Sequence, residues 1–375
     1  MSKRPVVVYG VSGYTGRLVC EYLRELNVPF IAVGRDKART QAVVDKIPGM
    51  ETADYEVVAC EHSVEALTEC FRGAKVVCNM VGPFIKLGPE AVQASLAAGC
   101  HYMDTTGEQD WTLEAKSKWG EQFAAKGLLL SPGIAQMYTT GEIAANIALE
   151  TPGLDTLDVL VLWKGYPTVA STETILVNAA QAKAFYLEGN QYVEWAADAG
   201  TYDVVVPGVH QTMLALPWGG TSHPVWFKRD PRVANVRVLG GLFDRALMQG
   251  VPAIVAAALE QAKDMPHDEK LKFLVQTARG VQSQMPPREN QRVNISLESV
   301  HASGPLGNVH VILRGASNYK QTGLLQAYAA HHLTIGKPAV VGMASACQAF
   351  GHRTLLGVLK HFGLVSAPQV TGHVD

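Results

Sequence analysis

Three glycines at three-residue spacing follow a short apolar run near the start of the chain. The apolar run covers residues 6–9, the glycines are Gly10, Gly13 and Gly16, and an amphipathic segment covers residues 17–26. This order predicts a strand, a tight turn and a helix. Gly10 permits the sharp turn, Gly13 lets a diphosphate approach the backbone, and Gly16 lets helix and strand pack closely. The segment therefore predicts a dinucleotide-binding fold with the diphosphate at the helix N-terminus.

The predicted second strand, residues 30–34, is followed by two charged residues that bear on the choice of coenzyme. The guanidinium fork of Arg35 suits the 2′-phosphate of NADP, whereas an acid at this place would bind the 2′-hydroxyl of NAD. Asp36 keeps NAD possible, or it caps the helix that starts at Lys37. We therefore expect NADP as the coenzyme and keep NAD as the alternative.

Further strand–helix units follow as far as residue 150, with strands expected at residues 55–60, 75–81, 101–105 and 127–131. Such repeats predict a doubly wound parallel sheet, whose ligand lies at the carboxyl ends of the strands. Tyr102 and Asp104 in the fifth strand and Tyr138 after the sixth are candidates for proton transfer or substrate orientation. Asp104 and Glu108 have helix capping as their alternative role. The predicted coenzyme contacts are Gly10, Ser12, Gly13, Tyr14, Thr15, Gly16, Arg35, Val81, Gly82 and Pro83.

The pattern changes after residue 153. We expect a helix over 172–187 and strands that include 156–163, 225–228 and 292–300, the last with one face open to water because its side chains alternate. This predicts a second α+β domain with a mixed or antiparallel sheet. The loop 216–223, which contains Trp218, is the expected substrate-facing loop. The predicted domains are 1–150 (dinucleotide-binding), 151–317 (substrate or dimerisation) and 318–375 (helices, with one expected over 340–361).

Composition narrows the class of function. The chain has 375 residues and a formal net charge of −2, which gives no electrostatic reason to expect nucleic acid or a membrane surface as partner. No apolar run approaches the ~20 residues of a membrane helix. The six cysteines form no CxxC pair, and we find no metal-ligand spacing. We expect a cytoplasmic protein with a small-molecule substrate and no metal.

Several segments together resemble the saccharopine dehydrogenase-like oxidoreductases. They are Gly10–Gly16, Val33–Arg35, Val81–Phe84, His101–Asp104 with Gly107-Glu108, and Tyr319–Gly323. The resemblance implies a Rossmann domain whose chain leaves for a mixed-sheet domain and returns, so that the C-terminal helices pack on the first domain. It also implies a nicotinamide coenzyme and a reaction at a carbon–nitrogen bond or, as in trans-acting enoyl reductases, at a carbon–carbon double bond. The middle region lacks an arginine-rich cluster for a dicarboxylic amino acid, which suits a less charged substrate than saccharopine.

Residues and resemblance together predict an NADP-dependent oxidoreductase that passes hydride between nicotinamide and a small organic substrate. The alternative is a non-catalytic, NADP-binding regulator, because a fold does not decide function. A homodimer that pairs the sheets of the second domain is a further expectation from the fold.

Overall fold

The computed structural model describes residues 4–181, 183–196, 199–206, 208–217 and 221–374; the expected substrate-facing Trp218 lies outside them. The chain forms two compact units, each assembled from separate stretches. Unit 1 comprises Met1–Thr106, Trp111–Thr139 and Tyr319–Leu364, and unit 2 comprises Gly107–Asp110, Thr140–Asn318 and Val365–Asp375.

Unit 1 contains a seven-stranded sheet in the order β15-β6-β5-β4-β1-β2-β3. Every neighbouring pair in it is parallel, which confirms the predicted doubly wound sheet. Its strands are β1 (Val6–Tyr9), β2 (Phe30–Gly34), β3 (Tyr55–Ala59), β4 (Val76–Asn79), β5 (His101–Asp104), β6 (Leu129–Ser131) and β15 (Gly342–Met343).

Helices join these strands and cover both faces of the sheet. They are α1 (Tyr14–Glu25), α2 (Lys37–Val44), α3 (Val64–Phe71), α4 (Phe84–Ala98), α5 (Gln109–Ala125), α11 (Asn318–Ile335), α12 (Ala346–Phe350) and α13 (His352–His361), with a 3₁₀ turn at Met50–Thr52. Helix α6 (Gln136–Ala148) begins in unit 1 and continues in unit 2, because the boundary falls after Thr139. One face buries a continuous apolar cluster in which Phe71, Trp111 and Phe123 are fully buried. Strands β1, β2 and β4 in the middle of the sheet are buried along their whole length, as expected for strands covered on both faces.

The region expected to be a single helix over 340–361 is instead a short strand and two helices. The Ser345 side chain starts α12 with a capping box, and Gly351 ends it at a left-handed φ of +83°. Residues 342–343 pair with β6 and complete the sheet.

Unit 2 contains a second seven-stranded sheet in the order β16-β14-β13-β7-β12-β8-β9, and a two-stranded β10–β11 hairpin. The β7–β12 pair is parallel and the others are antiparallel, so the sheet is mixed, as predicted. Its strands are β7 (Thr156–Trp163), β8 (Phe185–Glu188), β9 (Gln191–Glu194), β10 (Tyr202–Val204), β11 (Met213–Ala215), β12 (Asn235–Leu242), β13 (Ile295–Gly304), β14 (Gly307–Ala316) and β16 (Gln369–Val374). Its helices include α7 (Val169–Gln181), α8 (His223–Phe227), α9 (Arg245–Gln261) and α10 (His267–Val281).

Three local predictions for unit 2 are wrong. Helix α7 ends at Gln181 and the chain then enters β8, so residues 172–187 are not one helix. Residues 225–227 belong to helix α8 rather than a strand; Pro224 occupies the first turn of α8, where a missing N–H costs nothing. Strand β13 is buried at every residue over 296–300, so the alternating pattern does not produce a water-exposed face along that stretch; the exposed residues are Ile295 and His301 on either side of it.

The chain ends in unit 2. After α13 it runs to β16, which pairs with β14 in the second sheet, while α11, α12 and α13 lie in unit 1. Unit boundaries fall at 139/140, 318/319 and 364/365. The domain bounds predicted from the sequence, which are 1–150, 151–317 and 318–375, stay predictions.

Candidate functional site

The glycine-rich turn after β1 is built so that two of its glycines admit no side chain and the third faces open space. Gly10 has φ +95°, and a Cβ there would lie 2.7 Å from Val81 Cγ2. A Cβ on Gly16 would lie 2.5 Å from the Gly10 carbonyl oxygen. A Cβ on Gly13 would have a single neighbour within 4 Å, the same oxygen at 3.4 Å. Gly13 is thus where a ligand has room to approach the backbone.

Helix α1 starts at this turn and offers its N-terminus to an anion. Gly13 is the N-cap and has no side chain that could cap the helix, and no acidic residue occupies the first turn. The positive end of the helix dipole therefore has no counter-charge from its own first turn. The predicted contacts Ser12, Tyr14 and Thr15 are partly exposed around it. These residues fit the diphosphate of a dinucleotide.

The two charged residues after β2 could each bind the coenzyme or, for Asp36, cap helix α2, and the structure distinguishes between them. Asp36 Oδ1 accepts a 2.8 Å hydrogen bond from the Arg39 backbone N–H and caps α2. Arg35 is exposed, and within the described part of the chain no hydrogen bond or ion pair to its side chain is present. The carboxylate is therefore engaged in the helix cap, and the guanidinium is available for a phosphate.

A tyrosine–histidine pair that the sequence did not reveal lies at the same edge of the sheet. Tyr9 ends β1, and its hydroxyl lies 2.8 Å from Nδ1 of His62 in the loop after β3. His62 Nε2 lies 3.4 Å from a carboxylate oxygen of Glu90. Burial raises the pKa of Tyr9 to about 12. These groups fix the loop after β3, beside the end of β2 that leads into Arg35.

The turn after β4 contains the predicted contacts Val81, Gly82 and Pro83. The side chain of Asn79, the last residue of β4, accepts a 2.9 Å hydrogen bond from the Val81 N–H. The Gly82–Pro83 peptide is cis, and α4 begins at the next residue. The turn therefore lies beside the glycine-rich turn, since β4 neighbours β1.

Two of the three predicted catalytic side chains meet at the end of β5. The Tyr102 hydroxyl donates a 2.9 Å hydrogen bond to Asp104 Oδ2 and accepts one from Asn79 Nδ2. Asp104 also accepts hydrogen bonds from Trp111 Nε1 and from the backbone N–H groups of Thr106 and Gly133. Both side chains are fully buried, and burial raises the pKa of Asp104 against the opposing effect of these donors.

The third predicted catalytic residue, Tyr138, lies in the first turn of α6 and is half-buried. Because α6 follows β6, this turn starts at the carboxyl edge of the sheet. The catalytic roles of Tyr102, Asp104 and Tyr138 stay predictions. The hydrogen bonds of Asp104 have a structural role, because they join β5 to α5 and to the turn after β6.

Helix α11 brings a C-terminal motif to this edge. The Tyr319 ring packs against Tyr14 with centroids 5.1 Å apart, and Thr322 Oγ1 accepts a hydrogen bond from the Gln136 N–H. A Cβ on Gly323 would lie 2.7 Å from Leu18 Cβ, so α11 packs closely on α1.

Gln326, one turn further along α11, reaches the end of β5. Its Nε2 donates hydrogen bonds to the carbonyl oxygens of Asp104 and Ile134, at 2.7 and 2.9 Å. The Tyr319–Gly323 motif was visible in the sequence, but nothing in it indicated these partners.

Neither a metal cluster nor a membrane-spanning helix occurs among the described residues. The described residues contain no group of three or more His, Cys, Asp and Glu side chains arranged to hold a metal ion. None of the helices in the described ranges has both the length and the apolar character required to cross a bilayer.

Two family models match the chain. Residues 139–374 match a family described as a family of unknown function (DUF5938). Residues 6–125 match the saccharopine dehydrogenase NADP binding domain, which confirms the resemblance and the NADP prediction for this part of the chain.

Relatives of known name match mainly over one third of the chain. A lipid droplet localized protein of Caenorhabditis elegans is 32% identical over 136 residues, which are 34% of this chain and 32% of that protein. A trans-acting enoyl reductase of Mycobacterium ulcerans is 36% identical over 106 residues, 28% of this chain and 25% of that protein. A human saccharopine dehydrogenase-like oxidoreductase is 30% identical over 139 residues, 33% of this chain and 32% of that protein. The chain thus spans about a third or less of the length of these relatives.

The fold itself has a solved counterpart. Apo saccharopine dehydrogenase (L-Glu forming) from Saccharomyces cerevisiae superposes with a TM-score of 0.65 over 98% of this chain and 100% of that chain, at 11% identity. This likeness shows the fold, and it confirms the predicted pairing of a parallel Rossmann-type sheet with a second, mixed sheet.

Proposed function

The chain belongs to the family of unknown function DUF5938, and we propose that it is an NADP-dependent oxidoreductase acting on a small organic substrate. The observation that supports this most directly is the NADP-binding-domain match over residues 6–125, whose glycine-rich turn has space at Gly13 for a diphosphate. The bound nicotinamide would supply or accept the hydride.

The chain's own residues would hold the coenzyme along the carboxyl edge of the first sheet. Gly10 and Gly16 shape the turn, Gly13 admits the diphosphate, and Arg35 pairs with the 2′-phosphate. Ser12, Tyr14, Thr15, Val81, Gly82 and Pro83 complete the proposed contacts. NAD stays the alternative coenzyme, although Asp36 is engaged in capping α2.

The proposed reaction is hydride transfer at a C=C or C=N bond. The names of the relatives support both: one is a trans-acting enoyl reductase and others are saccharopine dehydrogenase-like oxidoreductases. Tyr138 is the proposed proton donor, because its phenol is half-buried in the first turn of α6. Tyr102 and Asp104 are proposed as positioning residues that hold the end of β5 and the turn before α6.

One observation favours a non-catalytic NADP-binding regulator as the second candidate. Tyr102 and Asp104 are fully buried and hydrogen-bonded to each other, so neither side chain is accessible to a substrate as an acid or a base. A regulator needs the coenzyme site but no proton donor. Binding without turnover would separate this candidate from the enzyme.

The test combines a binding titration with turnover. Purified protein is titrated with NADPH and NADH by fluorescence, and NADPH oxidation is then followed with cyclohexenone, a trans-2-enoyl thioester and 2-methyl-1-pyrroline. Tight NADPH binding with turnover of an enone or an imine supports the enzyme and identifies whether it reduces a C=C or a C=N bond. Tight binding without any turnover supports the regulator, and no binding contradicts both.

We also propose a cytoplasmic location and a homodimer. The described cysteines are free thiols, five of them buried, which suits a reducing compartment. Sedimentation velocity at micromolar concentration tests the dimer, and fractionation of cells expressing the full chain tests the location.

A further inference from the structure

One face of the second sheet carries a groove of about 770 Å³. Strands β7, β12, β13 and β14 form its floor, while Tyr186 of β8, residues 194–196 and residues 202–205 form a wall. We call it the sheet groove. Its volume lies within the range of small-molecule sites, which combine apolar and aromatic walls with a few polar groups.

A row of polar side chains crosses the floor in register. His310 pairs with His301, His301 with Asp158, and Asp158 with Arg237 on successive strands β14, β13, β7 and β12. Residues directly opposite on adjacent strands point to the same face and lie about 5 Å apart. The row therefore presents two imidazoles, a carboxylate and a guanidinium to the same groove.

Most of these polar groups already have partners. The Arg237 guanidinium lies 5.3 Å from the centre of the Tyr186 ring and 3.8 Å from a Glu188 carboxylate oxygen. His310 Nε2 lies 2.7 Å from Ser299 Oγ. At the rim, Glu194 pairs with Lys183 at 3.1 Å.

Asp158 differs from its neighbours. It is exposed in the middle of the row, and among the residues that the structure describes it has neither a hydrogen bond nor an ion pair. The Arg237 charge beside it is balanced by Glu188, so the groove keeps an excess of negative charge at this point. A cationic group on a ligand would complement it, and an anionic group would be repelled.

Three aromatic rings line the same groove as this carboxylate. Tyr186 and Trp195 have centroids 4.8 Å apart, and Trp195 and Tyr202 have centroids 6.2 Å apart. Tyr202 is 41% exposed, so its ring is accessible to a ligand in the groove. Aromatic faces attract cations, and Arg237 on Tyr186 already uses one of them.

We propose that the sheet groove binds a small organic cation, an ammonium group attached to a flat apolar body. The ammonium pairs with Asp158, and the body lies against Trp195 and Tyr202 above the apolar floor of Leu160 and Leu239. The site belongs to unit 2 alone and is independent of the coenzyme contacts, which lie in unit 1.

The test measures amine binding to the full chain by titration calorimetry at pH 8. Tryptamine and benzyltrimethylammonium are the probes; 3-ethylindole lacks the charge and indole-3-propionate reverses it. We expect the two cations to bind at least tenfold more tightly than either control. Asp158→Asn and Trp195→Ala should each weaken tryptamine binding at least tenfold, whereas Asp268→Asn, an exposed carboxylate change on α10, should leave it unchanged.

Far-UV circular dichroism and the urea unfolding midpoint of each variant show whether the whole chain is folded, independently of the groove and of coenzyme binding. The proposal is overturned if a folded Asp158→Asn or Trp195→Ala variant binds tryptamine like the parent, or if indole-3-propionate binds as tightly as tryptamine. It is also overturned if neither tryptamine nor benzyltrimethylammonium binds. Sedimentation then shows whether Tyr202→Ala converts a dimer into a monomer. In that event a second copy of the chain covers the groove. None of these results depends on whether the protein turns over a substrate.

Discussion

The phenol of Tyr102 lies 2.9 Å from Oδ2 of Asp104, and both side chains are fully buried in unit 1. The Asp104 carboxylate accepts four hydrogen bonds, from Tyr102, Trp111, Thr106 and Gly133. Its acceptor capacity is used by the protein itself, so this carboxylate has a structural role at the junction of β5, α5 and the turn after β6, whereas a role toward the substrate stays a prediction. The hydrogen-bonded pair of Tyr102 and Asp104 therefore stabilises the carboxyl edge of the sheet.

We expect Asp104→Asn to destabilise the protein by about 3 kcal/mol, because the amide nitrogen would face buried donors and leave them unsatisfied. Tyr102→Phe removes one hydroxyl and should cost about 1–2 kcal/mol. Urea unfolding of both single variants and of the double variant measures the two losses and their coupling. If Asp104→Asn instead keeps its stability and NADPH binding but loses turnover, the catalytic role predicted from the sequence is correct and the positioning role is wrong.

The glycine-rich turn predicts different outcomes for two neighbouring alanine substitutions. Gly16→Ala places a Cβ 2.5 Å from a backbone oxygen that cannot move away, and we expect a loss of about 1–3 kcal/mol in stability. Gly13 has φ −72° and ψ 165°, which any residue adopts, so Gly13→Ala should fold normally. Its methyl group occupies the ligand side, and NADPH affinity should fall at least tenfold.

Gly357→Ala is the matched control for these two variants. Gly357 lies inside α13 with nothing within 4 Å of the position a Cβ would take. We expect this change to stabilise the protein by about 0.5–1 kcal/mol through helix propensity and to leave NADPH binding unchanged. A Gly13→Ala variant with parental NADPH affinity would show that the diphosphate does not approach this turn.

The parallel sheet was predictable because local signals repeat along it. Each buried strand is an apolar run followed by turn residues, and the Gly10–Gly16 spacing fixes the first unit. The run at 225–227 was misread because a short apolar segment fits a strand and a buried helix equally well. The helix end at Gln181 was missed because no glycine or proline marks it.

The partners of the site residues could not be predicted, because they come from distant parts of the chain. Gln326 meets the Asp104 carbonyl across 222 positions, and Gly133 meets its carboxylate across 29. The sequence therefore identified Asp104 as a polar residue at a strand end, but not the donors that surround it. The groove over Asp158 could not be predicted for the same reason, because its floor residues align only when four strands pair.

Arg35 should set the preference for NADP over NAD. We expect Arg35→Ala to weaken NADPH binding 10- to 100-fold, because it removes the charge-assisted hydrogen bonds to the 2′-phosphate, worth about 1.5–3 kcal/mol. NADH lacks this phosphate, so its affinity should be unchanged, and Arg35→Asp should favour NADH. Parallel fluorescence titrations with both coenzymes measure the ratio. Arg72→Ala, an exposed arginine on unit 1 paired with Glu69, is the control; equal losses for both coenzymes in Arg35→Ala would contradict the assignment.

His101 should make folding stability depend on pH below neutrality. Its Nδ1 accepts a 2.8 Å hydrogen bond from the Leu129 N–H, which requires an unprotonated Nδ1, and burial lowers the pKa of His101 to about 4. The unfolded chain binds this proton near pH 6.5, so the stabilisation is complete above that pH and is lost as the pH falls towards 4. With allowance for partial exposure, the loss is on the order of 2 kcal/mol.

The His101→Gln variant tests this dependence, because a glutamine oxygen can still accept a hydrogen bond but does not titrate. Urea unfolding at pH 7.0 and pH 4.5 gives the change in the free energy of unfolding for each protein. We expect that change to be smaller in His101→Gln than in the parent by about 2 kcal/mol, and unaltered in His361→Gln, an exposed histidine at the end of α13. NADPH affinity at pH 7.0 should stay at the parental level, since His101 opens β5 at the edge opposite the coenzyme contacts. Identical pH dependence in His101→Gln and the parent would show that the buried imidazole is not what weakens the fold in acid.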